Sequence, residues 1–184
     1  MRIALLGLAG AGKDTSAIIL QRILAEQGLD FIIDRYAAPL KNAARKLFGD
    51  RFDDRDVKEV PFRVDADRAI DITFNCLNAL GFTDEEHDKA AGFYFDTIGL
   101  KTHMSPREYQ QLLGTEVVRA TRLSAWVDRI KASPQNLIIT DARFLNELHG
   151  ANLLIERFEN IDRPKHESEH LAWDLQFTGK RVPV

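Results

Sequence analysis

Cysteine is nearly absent from this sequence: Cys76 is the one thiol among 184 residues. It makes no internal disulfide, which excludes a disulfide-stapled scaffold and agrees with a reducing compartment. Cys76 is read as a structural residue. Long apolar runs are missing too. No stretch approaches the roughly 18 residues needed to span a bilayer. The apolar start MRIALLGLAGAG is broken by glycines and runs into Lys13 and Asp14, so no export signal is expected. Positive charge is not in excess either. The 25 Lys and Arg against 28 Asp and Glu leave a net charge of −3, which argues against the basic stripe of a nucleic-acid binder. With 45% hydrophobic and 29% charged residues, no repeats and no low-complexity linker, the chain reads as one soluble globular domain of the cytoplasm, with no membrane and no nucleic-acid partner.

Residues 2–6 form a short apolar run ending at glycine, read as a buried strand of a parallel sheet. Residues 15–27 carry Ile18, Ile19, Ile23 and Leu24 at helical spacing, with Gly28 as the C-terminal cap. A second strand is expected at 31–33 and a short helix at 40–48, after Pro39. Residues 49–68, GDRFDDRDVKEVPFRVDADR, mix charges of both signs with few apolar positions and read as a solvated, mobile segment. Helical periodicity returns at 69–80, and an acidic patch at 83–89 reads as an exposed loop or helix start. SPRE at 105–108 is a capping box: Ser105 caps, Pro106 takes the first helical position and Glu108 reaches back. A helix continues from it toward Arg122, and another covers 123–132 with Trp126. Strands follow at 137–140, ending at Asp141, and at 152–158. Strands alternating with helices predict a doubly wound α/β sheet, whose ligands sit at the carboxyl ends of the strands.

At the end of the first strand stands GLAGAGKDT, residues 7–15. A phosphate-binding loop reads G-x-x-x-x-G-K followed by Ser or Thr; here Asp14 takes that place and the hydroxyl comes one residue later, at Thr15. Glycines let the backbone N–H groups of Gly10, Ala11, Gly12, Lys13, Asp14 and Thr15 turn around phosphate oxygens, and the helix adds its positive end. Lys13 brings a full charge to the β and γ phosphates. Asp141 resembles the strand-terminal acid that holds Mg²⁺ directly or through water, and Arg143 can reach the same crevice. Phosphoryl transfer gathers cations around the moving group, an arginine contributing roughly 10³ to 10⁵ in rate. Arg35, Lys41, Arg68, Arg107, Arg119, Arg143 and Arg157 are candidates, and spacing does not choose among them.

Two other motifs compete. HESEH, residues 166–170, fits the zinc-hydrolase pattern H-E-x-x-H, but Trp173 and Gln176 stand where the extended form needs glycine and histidine, and no Glu follows Glu169. D-x-x-G occurs at 96–99, but no N-K-x-D accompanies it, so a GTPase switch is not expected.

Taken together, several stretches resemble the deoxynucleoside monophosphate kinases of tailed bacteriophages. They are GAGKDT at 10–15, AAPLKNAA at 37–44, SPREYQQLLGTEVVR at 105–119, Trp126-Val127, IITDARFLNE at 138–147 and HESE at 166–169. The resemblance implies a P-loop kinase-like doubly wound parallel sheet with helices on both faces and a helical substrate-binding and lid region. It also implies one kinase domain over 1–184 with a mobile nucleoside-binding or lid insertion at about 49–104. The activity it implies is transfer of the γ-phosphoryl of ATP to a deoxynucleoside 5′-monophosphate, with Mg²⁺, in the host cytoplasm, and a homodimer is a family-level expectation. By position, Gly10 to Thr15 and Arg157 would bind ATP. Lys41, Arg68, Arg107, Gly114, Thr115, Trp126, Asp141 and Arg143 would line the monophosphate site. Lys13, Asp14, Arg107 and Arg143 would serve the transfer, with Mg²⁺ held by Asp14 and Asp141 through water. Nucleoside monophosphate kinases commonly carry G-K-x-T, so the late hydroxyl suits this class. A dephospho-coenzyme A kinase-like enzyme and a nucleotide-binding module without turnover are the alternatives.

Overall fold

The computed structural model describes residues 1–7, 11–148 and 153–157, with the backbone alone for 145 and 153–157. Along the chain the first elements are β1 (Arg2–Gly7), α1 (Lys13–Glu26), β2 (Ile32–Asp34), α2 (Ala38–Phe48), β3 (Phe62–Arg63), α3 (Ala66–Ala79) and α4 (Asp84–Thr97). There follow β4 (His103–Met104), α5 (Pro106–Gln111), a π-helical stretch (Leu112–Arg119), α6 (Ala125–Ala132), β5 (Leu137–Ile139), α7 (Leu145–Leu148) and β6 (Leu153–Arg157). The chain divides into two compact units, Met1–Tyr36 with Ile130 onward, and Ala37–Arg129. This is a mixed α/β protein with a small parallel sheet and several helices. Among the described residues no helix is long and apolar enough to cross a membrane.

In the first unit four parallel strands stand in the order β2-β5-β1-β6. Ile3 pairs with Ile138 on one side and Leu153 on the other, so β1 is a central strand. A strand covered on both faces needs apolar residues at every position, and Ile3, Ala4, Leu5 and Leu6 are all buried. One face packs on α1 through Ile3, Leu5, Ala17 and Ile138, with Leu20 and Leu24 joining. The three isoleucines noted at helical spacing do not face this core. Ile18, Ile19 and Ile23 are 58, 56 and 46% exposed. Ala17, Leu20 and Leu24 recur at the i, i+3, i+7 spacing of a single stripe, and the small Ala17 lets the helix approach the strand. The spacing found the helix, and of the four positions noted Leu24 lies on its packed face.

The second unit is mostly helical. Its fully buried side chains include Leu77, Tyr94, Ile98, Met104, Tyr109 and Leu113. The Phe48 ring meets Tyr109 edge-on at 5.7 Å, and the Tyr109 hydroxyl lies 3.1 Å from that of Thr73. Helix α2 begins before Pro39 rather than after it, because a proline in the first turn lacks only an N–H that has no helical partner. The charged segment after Gly49 is more ordered than expected: a 3₁₀ turn at Asp50–Asp53 buries Phe52, and β3 pairs antiparallel with β4. The acidic patch opens α4 through a capping box between Thr83 and Glu86. Ser105 caps α5, accepting the Glu108 amide at 3.1 Å, whereas the Glu108 carboxylate pairs with Lys101 at 2.8 Å.

The helix expected to run on from α5 does so in π geometry. Its i→i+5 bonding is rare and is frequent at functional sites when it does occur. Gly114 lies buried within it, and a β-carbon there would come 3.2 Å from the Leu40 side chain. Its missing side chain thus lets the π-helical stretch lie close against α2.

Candidate functional site

Two groups of charged residues stand out, one in each unit. In the first, the chain leaves β1 at Gly7 and enters α1 through Gly12, whose φ of 78° is a left-handed conformation that favours glycine. No side chain caps this helix start, which is the arrangement that presents backbone N–H groups to an anion. The Lys13 ammonium turns back and donates to the Gly7 carbonyl at 2.6 Å. Asp14 and Thr15 are exposed on the first turn. Leu8, Ala9 and Gly10 lie outside the described residues.

Asp14 is held by Arg35, Oδ1 to Nη2 at 2.8 Å, and the Arg35 Nε donates to the Thr140 hydroxyl at 3.3 Å. Asp141, just beyond β5, accepts the Tyr36 amide on Oδ1 at 2.7 Å, tying together the ends of β2 and β5. Glu147, buried on α7, accepts the amides of Arg143 and Phe144 at 2.8 and 3.1 Å, and its own carbonyl accepts the Tyr36 hydroxyl at 2.5 Å. A carboxylate is seldom buried unless such donors meet it. The Arg143 side chain is exposed. Arg157 ends β6 in register with Gly7, which places it at the same edge of the sheet. Sequence reading singled out Asp14, Asp141, Arg143 and Arg157 but missed Tyr36 and Glu147. The available signal was the DRY run closing β2 and a glutamate six residues after Asp141.

Asp14 and Asp141 supply hard carboxylate oxygens and Thr15 a hydroxyl, a donor set that suits Mg²⁺, which keeps several waters and takes one or two carboxylates beside substrate phosphates. Among the described residues no group of three or more His, Cys, Asp or Glu side chains gathers to cage a metal.

In the second unit each expected cation has a protein partner. Lys41 on α2 meets Asp53 at 2.8 Å, and Arg107 at the start of α5 meets Glu59 at 2.8 Å while its amide donates to the Lys58 carbonyl at 3.0 Å. Arg68 reaches the Lys46 carbonyl. Thr115 is exposed, while Gly114 and Trp126 are buried. A cavity of about 290 Å³ opens between α2 and α3, and none of the residues expected to hold the monophosphate lines it. The buried Cys76 thiol forms part of its wall, and burial pushes that thiol up to about 12. Of the competing motifs, D-x-x-G closes α4: Ile98 is buried and the Gly99 amide donates to the Tyr94 carbonyl at 2.9 Å, a helix ending. HESEH lies outside the described residues.

Comparison with protein-family models, with curated proteins and with solved structures finds no match for this chain.

Proposed function

We propose that the protein transfers the γ-phosphoryl group of ATP to a deoxynucleoside 5′-monophosphate. The observation that carries this reading is the arrangement at one sheet edge. A glycine-entered helix bearing Lys13 follows the central strand β1, and Asp141 and Arg143 follow the adjacent β5. Ligands of parallel α/β sheets bind outside the carboxyl ends of the strands. The strand order supports the finer fold as well. The connection from β1 to β2 and that from β5 to β6 run in opposite directions across the sheet. Crossovers of the usual right hand would put their connections on opposite faces, as the doubly wound arrangement requires.

In this reading the backbone from Gly10 to Thr15 receives the ATP phosphates, and Lys13 leaves the Gly7 carbonyl to neutralise the β and γ oxygens. Arg157 serves the ATP side. Arg107 and Lys41 hold the acceptor phosphate after exchanging Glu59 and Asp53 for it. An oxygen of that phosphate attacks the γ phosphorus, the bond to the β-phosphate oxygen breaks, and ADP departs. The acceptor is already an anion, so no strong general base is needed. Arg143 stabilises the charge on the transferred group. Asp14 and Asp141 would hold Mg²⁺ through its waters, and the ion would supply charge neutralisation for the transferring phosphoryl group. Arg35 and the Tyr36 amide fix those two carboxylates in place.

The test is coupled ADP release with dAMP, dGMP, dCMP and dTMP as acceptors. Acceleration by at least one is expected. Acceleration by none, with tight ATP binding retained, points to a module without turnover, and acceleration by dephospho-coenzyme A alone points to that acceptor.

A further inference from the structure

Residues 7–15 carry two charged side chains, Lys13 and Asp14, and their charges cancel. What remains to draw a polyphosphate is the helix end, worth about half an elementary charge. Asp14 also stands on the first turn of α1, where a carboxylate is itself an anion that the helix N-terminus favours. It therefore competes with phosphate oxygens for the place they need. Arg35 meets this charge from across the sheet edge. In the order β2-β5-β1, the carboxyl end of β5 separates Arg35, which follows β2, from α1, which follows β1. The side chain crosses that gap: Nε donates to the Thr140 hydroxyl at 3.3 Å and Nη2 meets Asp14 Oδ1 at 2.8 Å. All three residues belong to the sheet unit.

The base of the Arg35 side chain is firmly held. Its amide donates to Asp34 Oδ1 at 2.7 Å, the Thr140 amide donates to the Asp34 carbonyl at 3.3 Å, and Thr140 is 3% exposed. The outer end is open to solvent, with the Arg35 and Asp14 side chains 40 and 66% exposed. We infer that Arg35 is a positioning residue for the phosphoryl donor and that it acts through Asp14. It cancels the carboxylate charge and draws the carboxylate toward β5, so that Lys13 and the helix end receive the ATP phosphates with their positive charge intact. This inference rests on the donor half of the function proposed above. Arg35 lies outside every stretch that carries the family resemblance, so the coupling belongs to this chain rather than to the phosphate-loop pattern. A guanidinium suits the task better than an ammonium, because its planar fork reaches the hydroxyl and the carboxylate at once.

The test is a double-mutant cycle, read by calorimetric titration of the full chain with metal-free ATP, where Asp14 acts only as a charge. Arg35→Ala uncovers the carboxylate and is expected to weaken ATP by about ten-fold. Adding Asp14→Asn to Arg35→Ala is expected to restore affinity to within about three-fold of Asp14→Asn alone. The urea midpoint of Arg35→Ala should stay close to that of the wild type, because an exposed pair contributes little stability. Affinity lost at constant stability, and regained by removing the second charge, is a result that a merely structural arginine does not give. A loss that persists in full in the double variant means that Arg35 touches the phosphates itself, and it overturns the assignment. ATP affinity within about two-fold of wild type in Arg35→Ala overturns it as well. A wild type that binds ATP and shows the cycle but transfers nothing to any deoxynucleoside monophosphate defeats the proposed kinase reaction and leaves the role of Arg35 standing. Transfer by Arg35→Ala with an unaltered KM for ATP defeats the Arg35 assignment alone.

Discussion

In the sheet unit the acidic side chains fasten backbone: Asp141 accepts the Tyr36 amide, and Glu147 accepts two amides at the entry to α7. In the helical unit acidic side chains meet cations at the surface instead, Asp53 with Lys41 and Glu59 with Arg107, all four more than three-tenths exposed. The energies differ accordingly. A hydrogen bond to a charged group at a sheltered place contributes about 1.5–3 kcal/mol, while an exposed ion pair contributes about 0–1 kcal/mol. The first arrangement holds geometry, and the second exchanges partners readily. A phosphoryl donor must be held in a fixed position, whereas an acceptor phosphate must enter, displace whatever anion was there, and leave.

The comparison breaks most visibly at Lys13. Lys13→Ala removes the charge proposed to face the β and γ oxygens, and transfer is expected to fall by about 10²–10³-fold or more. The lysine is only partly buried, so stability should change little. Single-turnover measurement within ten-fold of wild type would falsify the donor assignment. Next in size is a pair of stability measurements by urea unfolding. Asp141→Ala is expected to cost about 1.5–3 kcal/mol, because the Tyr36 amide loses its charged acceptor. Asp53→Ala should cost about 1 kcal/mol or less. Equal costs would remove the distinction between the two regions.

Much of the sheet unit was legible in the chain itself. A buried parallel strand is apolar at every position, a glycine-rich run marks the passage from strand to helix, and Asp141 stands directly after an apolar run, so β1, α1, β5 and the strand-end acids follow from local pattern. The core face of α1 did not, because Ile18, Ile19, Leu20, Ile23 and Leu24 surround most of the helix with apolar residues and only the approach of β1 at Ala17 selects a side. The helical unit was less legible. The two-residue strands β3 and β4 are too short for any period to register. The close fit of Gly114 on Leu40 joins residues about 70 apart in sequence, which no local pattern registers. The ion pairs of Lys41 and Arg107 arise the same way: acids and bases alternate through 50–59, and only the fold decides which meet.

Alkaline pH tests the buried side of the helical unit. Burial raises the Cys76 thiol from 9.0 to about 12 and the Tyr94 hydroxyl from 10.0 to about 12, and raises Tyr109 as well. These groups are neutral when protonated, and the folded state holds their protons more tightly than the unfolded chain does. Their contribution is complete below about pH 9 and is lost as pH rises through 9 to 12. Between pH 7 and 10 the loss from Cys76 alone is about 1.4 kcal/mol. Cys76→Ala should lower stability at pH 7 by leaving a small cavity, yet flatten the alkaline fall. A wild-type profile level to pH 10.5 would contradict the buried placement of these groups.

The smallest expected effect is also the most discriminating, because its sign is opposite to that of most substitutions near a binding site. Glu59→Gln keeps the shape of the side chain and removes the charge that holds Arg107. If Glu59 is the anion that an acceptor phosphate displaces, its neutralisation lowers the acceptor KM. The gain is bounded by the worth of an exposed pair, about 1 kcal/mol or roughly five-fold. The KM for ATP should not move, and stability should stay within about 0.5 kcal/mol. Arg107→Ala must act in the other direction, raising the acceptor KM. A higher acceptor KM in Glu59→Gln would mean that the carboxylate positions Arg107 for the phosphate rather than competing with it. Unchanged acceptor kinetics in both variants would remove Arg107 from the acceptor site, and with it the contrast between a fixed donor site and an exchangeable acceptor site.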